Sequence, residues 1–390
     1  MTTSAGKQIV QYGLTEVYSA IDPVVDIVFV HGLNGHPHDT WSTKKPKVFW
    51  PADLLPAALE EQRPRILTYG YDANVTAFTD GVSKDKIHNH AEHLASRLVA
   101  NRSLKKATER PIIFVAHSLG GLVVKRCLIY CQSIRPHQHT ERLRSIYVST
   151  YGILFLGTPH NGSDLAKWGS LLEKICAVAL PKKFFDTSPQ LVQALQTNNE
   201  TLQNINRLFI EIIGRYHIYF FHESKPTDLK GTLAFVVEED SAAPVIEGVE
   251  RMGIEKDHSH ICKFEDESSP GYDVVAEAIQ RYATDAQSLI RSRWDQEKQM
   301  AGFERQAAAR ELLGGEYAYD ISVRDNTENS ADSIFQTSPG VSGTATPVPG
   351  AQQTIQSNPM GAPSPRQIPT STSPQYEVEE LEDDLITAPH

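Results

Sequence analysis

The chain has 390 residues, with 40% hydrophobic and 22% charged side chains, a balance that excludes a collagen, a long coiled coil or a wholly disordered polymer. Its 37 Lys and Arg against 48 Asp and Glu leave a formal charge of −11, which argues against a nucleic-acid partner, whose phosphates need a basic face. The charge is uneven: from Glu316 onward eleven acids face two bases, so the tail carries −9 and the remainder only −2.

In chain order, Asp26–Val30 (DIVFV) is a β-branched apolar run ended by His31-Gly32, as expected of a strand buried on both faces. Phe49–Glu61 carries apolar residues at helical spacing, with Pro51 in the first turn. Arg65–Tyr69 (RILTY) reads as a second strand and Lys84–Leu104 as an amphipathic helix. Ile112–Ala116 (IIFVA) is a third strand, followed by a helix over Leu122–Tyr130, and Gly152–Leu156 (GILFL) a fourth. Strands alternating with helices at this spacing predict βαβ units and an α/β fold with a mostly parallel sheet covered on both faces.

Residues 163–214 show a helical, strand-free pattern and read as an insertion over one end of the sheet, where a lid would lie. His217–Phe221 (HIYFF) and Leu233–Val237 (LAFVV) are strand-like again. The link between them is about ten residues, short for a parallel crossover, so Arg251–Glu255 is the alternative next strand. Asp273–Leu313 is one helical pattern stopped by Gly314-Gly315. The expected organisation is an α/β body over 1–290, a helical extension over 291–314, and an acidic Ser/Thr/Pro-rich tail over 315–390. That tail has too little apolar content to offset its ordering entropy and is expected to be disordered. Its six acids after Tyr376 suit a solubilising segment or contact with a protein partner.

The sharpest motif is Ala116-His117-Ser118-Leu119-Gly120-Gly121, where a buried strand runs through small-x-Ser-x-Gly into a helix. This is a nucleophile elbow: the tight turn exposes the serine oxygen at a helix N-terminus, where developing negative charge is favoured. Ala116 replaces the usual first glycine and keeps the volume small. A plain structural serine is the competing reading, which the strand before and helix after disfavour. His117 is expected to pack in the elbow. The loop His31-Gly32-Leu33-Asn34-Gly35 after the first strand is where such folds supply an oxyanion donor, and the residue after the nucleophile supplies the other. The backbone N–H groups of Leu33 and Leu119 are therefore the candidate oxyanion hole.

The chain order of this fold is Ser, acid, His. His258, in Lys256-Asp257-His258-Ser259-His260, is the candidate base, with His260 as the alternative. Glu223, directly after HIYFF, is the candidate acid, and Asp240, after LAFVV, the alternative. His88, His90 and His93, and His36 and His38, lack a completing carboxylate or cysteine pattern, so no metal site and no cofactor is expected. Cys127 and Cys131 share a helix face and are expected to pack. The four cysteines include no C-x-x-C pair, the first twenty residues have no apolar signal segment, and no apolar run spans a bilayer. The expectation is an intracellular chain, cytoplasmic by default, whose Asn-x-Ser/Thr sequons are fortuitous.

Seven separated blocks then carry a resemblance: VFVHGLNGHPHDTW, FWPADLLP, IIFVAHSLGGLVVKRCL, ILFLGTPHNGSDLAKWG, FFHES, VVEEDSA and DHSHICKF. Together they resemble the lipase-like serine active-site family, α/β hydrolases similar to GPI inositol-deacylase, over about residues 14 to 285. The resemblance implies an α/β-hydrolase fold, hydrolysis of a carboxylic ester or lipid, and a triad on Ser118, Glu223 and His258. It also implies peripheral association with mitochondrial or endoplasmic-reticulum membranes in some members. Trp41, Trp50, Trp168, Phe184 and Phe185, near the loops, are read as walls for an apolar acyl group. The alternative of a different class is a catalytically silent hydrolase-fold module that recruits partners.

Overall fold

The computed structural model describes residues 8–74, 86–134, 141–160, 204–229 and 231–313, together with 170, 171, 173–175, 177 and 178. All of these belong to one compact unit, Met1–Asp325; a second unit, Asn326–His390, lies outside the described residues. The tail expectation therefore falls outside the described residues.

Apolar runs become strands where both their faces are covered. β2 (Val25–Val30), β3 (Pro64–Gly70), β4 (Ile112–His117) and β5 (Thr150–Leu156) are buried at every position. With β1 (Gly13–Ser19), β6 (His217–Glu223) and β9 (Glu250–Ile254) they form a seven-stranded sheet in the order β1-β3-β2-β4-β5-β6-β9. Only β1 is antiparallel, pairing with β3 from Gly13 opposite Gly70 to Ser19 opposite Arg65. The other neighbours are parallel. As the short crossover required, Leu233–Val237 does not enter this sheet. Thr232–Ala234 (β8) instead pairs with Thr227–Leu229 (β7) in a separate hairpin, and β9 takes the place beside β6.

The period-2 alternation of each strand feeds two cores. Val28, Val30, Phe114 and Phe155 face one side, under the helices α3 (Lys86–Leu104) and α4 (Gly120–Ser133). Ile27, Phe29, Ile113 and Leu154 face the other, under the long C-terminal helix α8 (Tyr272–Leu313). Each such side chain is worth about 1.5–3 kcal/mol on burial. Between the two ends of the chain lie α5 (Arg144–Ser149), α6 (residues 204–213) and α7 (Glu239–Ala242). The helix expected over Phe49–Glu61 is broken into two single turns, α1 (Trp50–Asp53) and α2 (Leu55–Ala58). Pro56 causes the break, since it brings no N–H to continue the ladder. This arrangement, with helices on both faces of a mostly parallel sheet and an antiparallel first strand, is the α/β-hydrolase fold.

The ends of the parallel strands differ sharply in chemistry. At the N-terminal end, Asp26 is fully buried and accepts hydrogen bonds from Arg65 Nε (2.8 Å), Arg65 Nη2 (2.8 Å), Arg110 Nη1 (3.0 Å) and Arg102 Nη1. Burial alone would raise the Asp26 pKa, but the guanidinium of Arg102, then those of Arg65 and Arg110, outweigh it and hold it low. The C-terminal end carries the candidate site residues Ser118, Glu223 and His258.

Candidate active site

β4 ends at His117, and Ser118 adopts φ +52°, the left-handed region costly for a non-glycine residue. The turn is held from both sides: the Ser118 N–H donates to Leu156 O (3.0 Å), and its carbonyl accepts from the Thr158 hydroxyl (2.9 Å) and the Gly121 N–H (3.1 Å). The glycines of the motif follow from crowding. A Cβ on Gly120 would lie 2.3 Å from His31 O, and one on Gly32 would lie 2.8 Å from Ser118 Cβ. The His31–Gly35 loop and the elbow therefore touch backbone to backbone.

His258 comes from the loop between β9 and α8 and places Nε2 3.0 Å from Ser118 Oγ. Its backbone is fixed separately. His117 Nε2–H donates to the His258 carbonyl (2.9 Å), and the His258 N–H donates to Thr227 Oγ1 (3.3 Å). Burial, then the nearby His258, push His117 down to about pKa 3, so it stays neutral and serves as a donor in the elbow. Glu223, the last residue of β6, puts Oε1 3.7 Å from His258 Nδ1, and the same oxygen accepts the Val237 N–H at 2.6 Å. Ser118, His258 and Glu223 are each no more than 3% exposed.

The alternatives fall elsewhere. His260 is 63% exposed and its Nδ1 lies 2.8 Å from Asp257. Asp240 is exposed in the first turn of α7. His88 lies 3.0 Å from Glu92 and accepts from Arg126 Nε, and Cys127 and Cys131 are buried in the core.

The candidate oxyanion donors are oriented by the loop's own bonds. The Gly32 carbonyl accepts from His31 Nδ1–H (2.9 Å) and from the Gly35 N–H (3.0 Å). In a planar trans peptide the following N–H points opposite to that carbonyl, so Leu33 N–H is turned away from both donors. Leu119, at the start of α4, has no carbonyl one turn back to accept its N–H. Burial lowers His31 to about pKa 4, which keeps Nε2 free to accept the Tyr71 N–H at 3.4 Å. Tyr71 also stacks on the ring at 4.4 Å and donates its hydroxyl to His31 O (2.8 Å). Tyr71 and Thr158 are contributors that no motif marked; their neighbourhood exists only once β3 and β5 are placed.

A cleft of about 320 Å3 opens over Ser118, with Leu33, Ile175 and Val178 among its apolar lining and Asn34, Thr40 and Lys263 among its polar lining. The expected aromatic walls are corrected in part: Trp41 and Trp50 are fully buried core residues, and Trp50 Nε1–H donates to Cys262 O (2.9 Å). Both rings pack edge-on against Phe29, an interaction available only beneath the loops. Trp168, Phe184 and Phe185 lie outside the described residues. Among the described residues no helix is long and apolar enough to cross a membrane.

Residues 24–204 match the family described as "Putative serine esterase (DUF676)". Protein SERAC1 of Danio rerio is 29% identical over 275 residues, covering 65% of this chain and 38% of that protein. Protein SERAC1 of Homo sapiens is 25% identical over 272 residues, with the same shares of 65% and 38%. The chain thus spans under two fifths of the length of these curated relatives. Among solved structures, Bacillus licheniformis lipase BlEst2 is similar at 16% identity and TM-score 0.42, covering 69% of this chain and 97% of that one.

Proposed function

We propose that this chain, a relative of the lipase-like serine hydrolases, hydrolyses a carboxylic ester through an acyl-enzyme on Ser118. The single observation that carries the reading is the 3.0 Å approach of His258 Nε2 to a Ser118 Oγ presented on a left-handed turn. His258 takes the hydroxyl proton as Oγ attacks the ester carbonyl. The tetrahedral oxyanion is held by the Leu33 and Leu119 N–H groups, and each such donor is worth about 10²–10³ in rate. His258 then passes the proton to the departing alkoxide. Water attacks the acyl-enzyme with the same base, and Ser118 regains its proton. Glu223 orients the imidazole and stabilises its charged form.

The substrate proposed is an ester with an apolar acyl group of modest length, seated against Leu33, Ile175 and Val178. The polar residues of the cleft leave room for a hydrophilic alcohol portion. Pre-steady-state hydrolysis of p-nitrophenyl esters of rising acyl length, beside a phospholipid, tests both points. A burst of p-nitrophenolate that vanishes in Ser118→Ala supports the acyl-enzyme, and the chain-length optimum reports the acyl pocket.

One observation favours a second reading, a catalytically silent module: among the described residues Glu223 Oε2 and His258 Nδ1 have no hydrogen-bond partner, so the acid does not grip the base directly. Catalytic hydrogen bonds are often long in a free enzyme and tighten with substrate, which keeps the hydrolase reading ahead. Failure of every ester to turn over in a folded protein would favour the silent module.

A further inference from the structure

Lys125, on α4 seven residues after Ser118, is only 2% exposed, and among the described residues no carboxylate pairs with it. Its Nζ donates to His160 Nδ1 (2.7 Å) and Asn206 Oδ1 (2.6 Å) and lies 5.4 and 5.5 Å from the ring centres of Phe155 and Phe209. Desolvation holds Lys125 well below the ordinary lysine range, and burial followed by the nearby Lys125 does the same to His160. Because His160 Nδ1 accepts, its proton sits on Nε2, and among the described residues that atom and Asn206 Nδ2 find no partner. Buried donors without acceptors are expensive, and an unpaired buried cation more so. The feature that sets this cluster apart is the set of elements it joins.

One arm is α4, directly behind the nucleophile. The second is the loop after β5, where Thr158 holds the Ser118 carbonyl and a Cβ on Gly157 would lie 3.2 Å from the His258 ring. The third is α6, which carries Asn206. The second arm continues: the His160 N–H donates to Ser241 O (2.7 Å) in α7, and just before α7 lies Val237, whose N–H clamps Glu223. The same segment is tied at Lys174, which donates to Phe235 O and Glu238 Oε1, both at 3.0 Å.

We propose that Lys125 is a positioning residue: by binding His160 and Asn206 it holds the β5 loop and α6 against α4, and so sets where the Val237 segment places Glu223 relative to His258. The inference rests on the hydrolase reading and adds a residue that touches neither substrate nor the reacting atoms. Lys125→Met keeps the length and apolar stem and removes the donors.

The test titrates active sites with a fluorophosphonate and measures kcat per titrated site and KM on a short p-nitrophenyl ester. Lys125→Met is expected to lose roughly 10- to 100-fold in kcat per site with KM nearly unchanged, the signature of a misplaced catalytic group. Leu98→Ala, a buried truncation on α3, should lower Tm without changing kcat per site, which controls for destabilisation. Asn206→Ala cuts one arm only and should give the same signature at roughly 3- to 10-fold, which decides the matter if Lys125→Met does not fold. Unchanged kcat per site in a destabilised Lys125→Met, or in Asn206→Ala where that variant decides, would overturn the inference and leave the hydrolase reading intact. A folded wild type with no titratable serine would remove both, a pattern no outcome of the variants can mimic.

Discussion

Glu223 and His258 face each other across 3.7 Å, while the nearer Glu223 oxygen is held at 2.6 Å by the Val237 N–H. The carboxylate is thus anchored by the Val237 backbone, with the imidazole beyond hydrogen-bond reach. His258, in turn, is anchored through its own carbonyl and N–H, by His117 and Thr227. His258 and Glu223 are each held on their own, and in the proposed mechanism the contact between them is the part left to tighten.

Glu223→Gln keeps the size and the Val237 bond and removes the charge. It is expected to lower kcat/KM on a p-nitrophenyl ester by roughly 10²–10⁴. Asp240→Asn should leave the rate within about twofold, since an exposed carboxylate off the imidazole stabilises no transition-state charge. The reverse order of effects would show that Asp240 is the acid.

Acid should unfold the protein through its buried histidines. His31 and His117 have folded pKa values depressed to about 4 and about 3, against an unfolded value near 6.5. The unfolded chain therefore binds more protons below pH 6.5. Their neutral-state stability is fully present above that pH and is lost on the way down to pH 4 and then 3, on the order of a few kcal/mol. Urea midpoints should hold from pH 7.5 to about 6.5 and fall from there to pH 4, and His117→Asn should flatten the slope. A flat profile in the wild type would contradict the burial of these rings.

At the far end of the sheet, Asp26→Asn leaves Arg65 and Arg102 buried without their anion. Breaking such a pair costs roughly 3–5 kcal/mol. Denaturant titration should show that loss. Because Asp26 pairs with Ile112, at the opposite end of β4 from Ser118, the folded fraction should label at the wild-type rate. A folded variant with slowed labelling would show coupling between the two ends.

Much of this architecture was legible in the amino-acid order, for physical reasons that vary by element. β2, β4 and β5 read as buried strands because both faces are covered and the runs are continuously apolar. β1, GLTEVYS, escaped notice because it is a half-buried edge strand whose register slips between Glu16 and Tyr18. LAFVV is strand-like in sequence, but the short link to HIYFF kept it out of the parallel sheet. Val236 and Val237 are buried, yet the Val237 N–H serves Glu223 rather than a strand ladder. The choice between Glu223 and Asp240 stayed open in the sequence because each follows an apolar run, and only the pairing of β6 with β9 gives Glu223 its place. Trp41 and Trp50 look alike as pocket walls or core, and packing against Phe29 settles them as core.

If the body ends near Gly315, a chain stopped there should keep both its folding transition and its reactive serine. Loss of either on truncation would extend the functional unit into the tail.

The most direct measurement is labelling with a fluorophosphonate followed by peptide mapping. The account predicts one stoichiometric adduct on Ser118, formed quickly in the wild type, slowed in His258→Ala and absent in Ser118→Ala. A folded wild type that remains unlabelled, or an adduct on another serine, would contradict it.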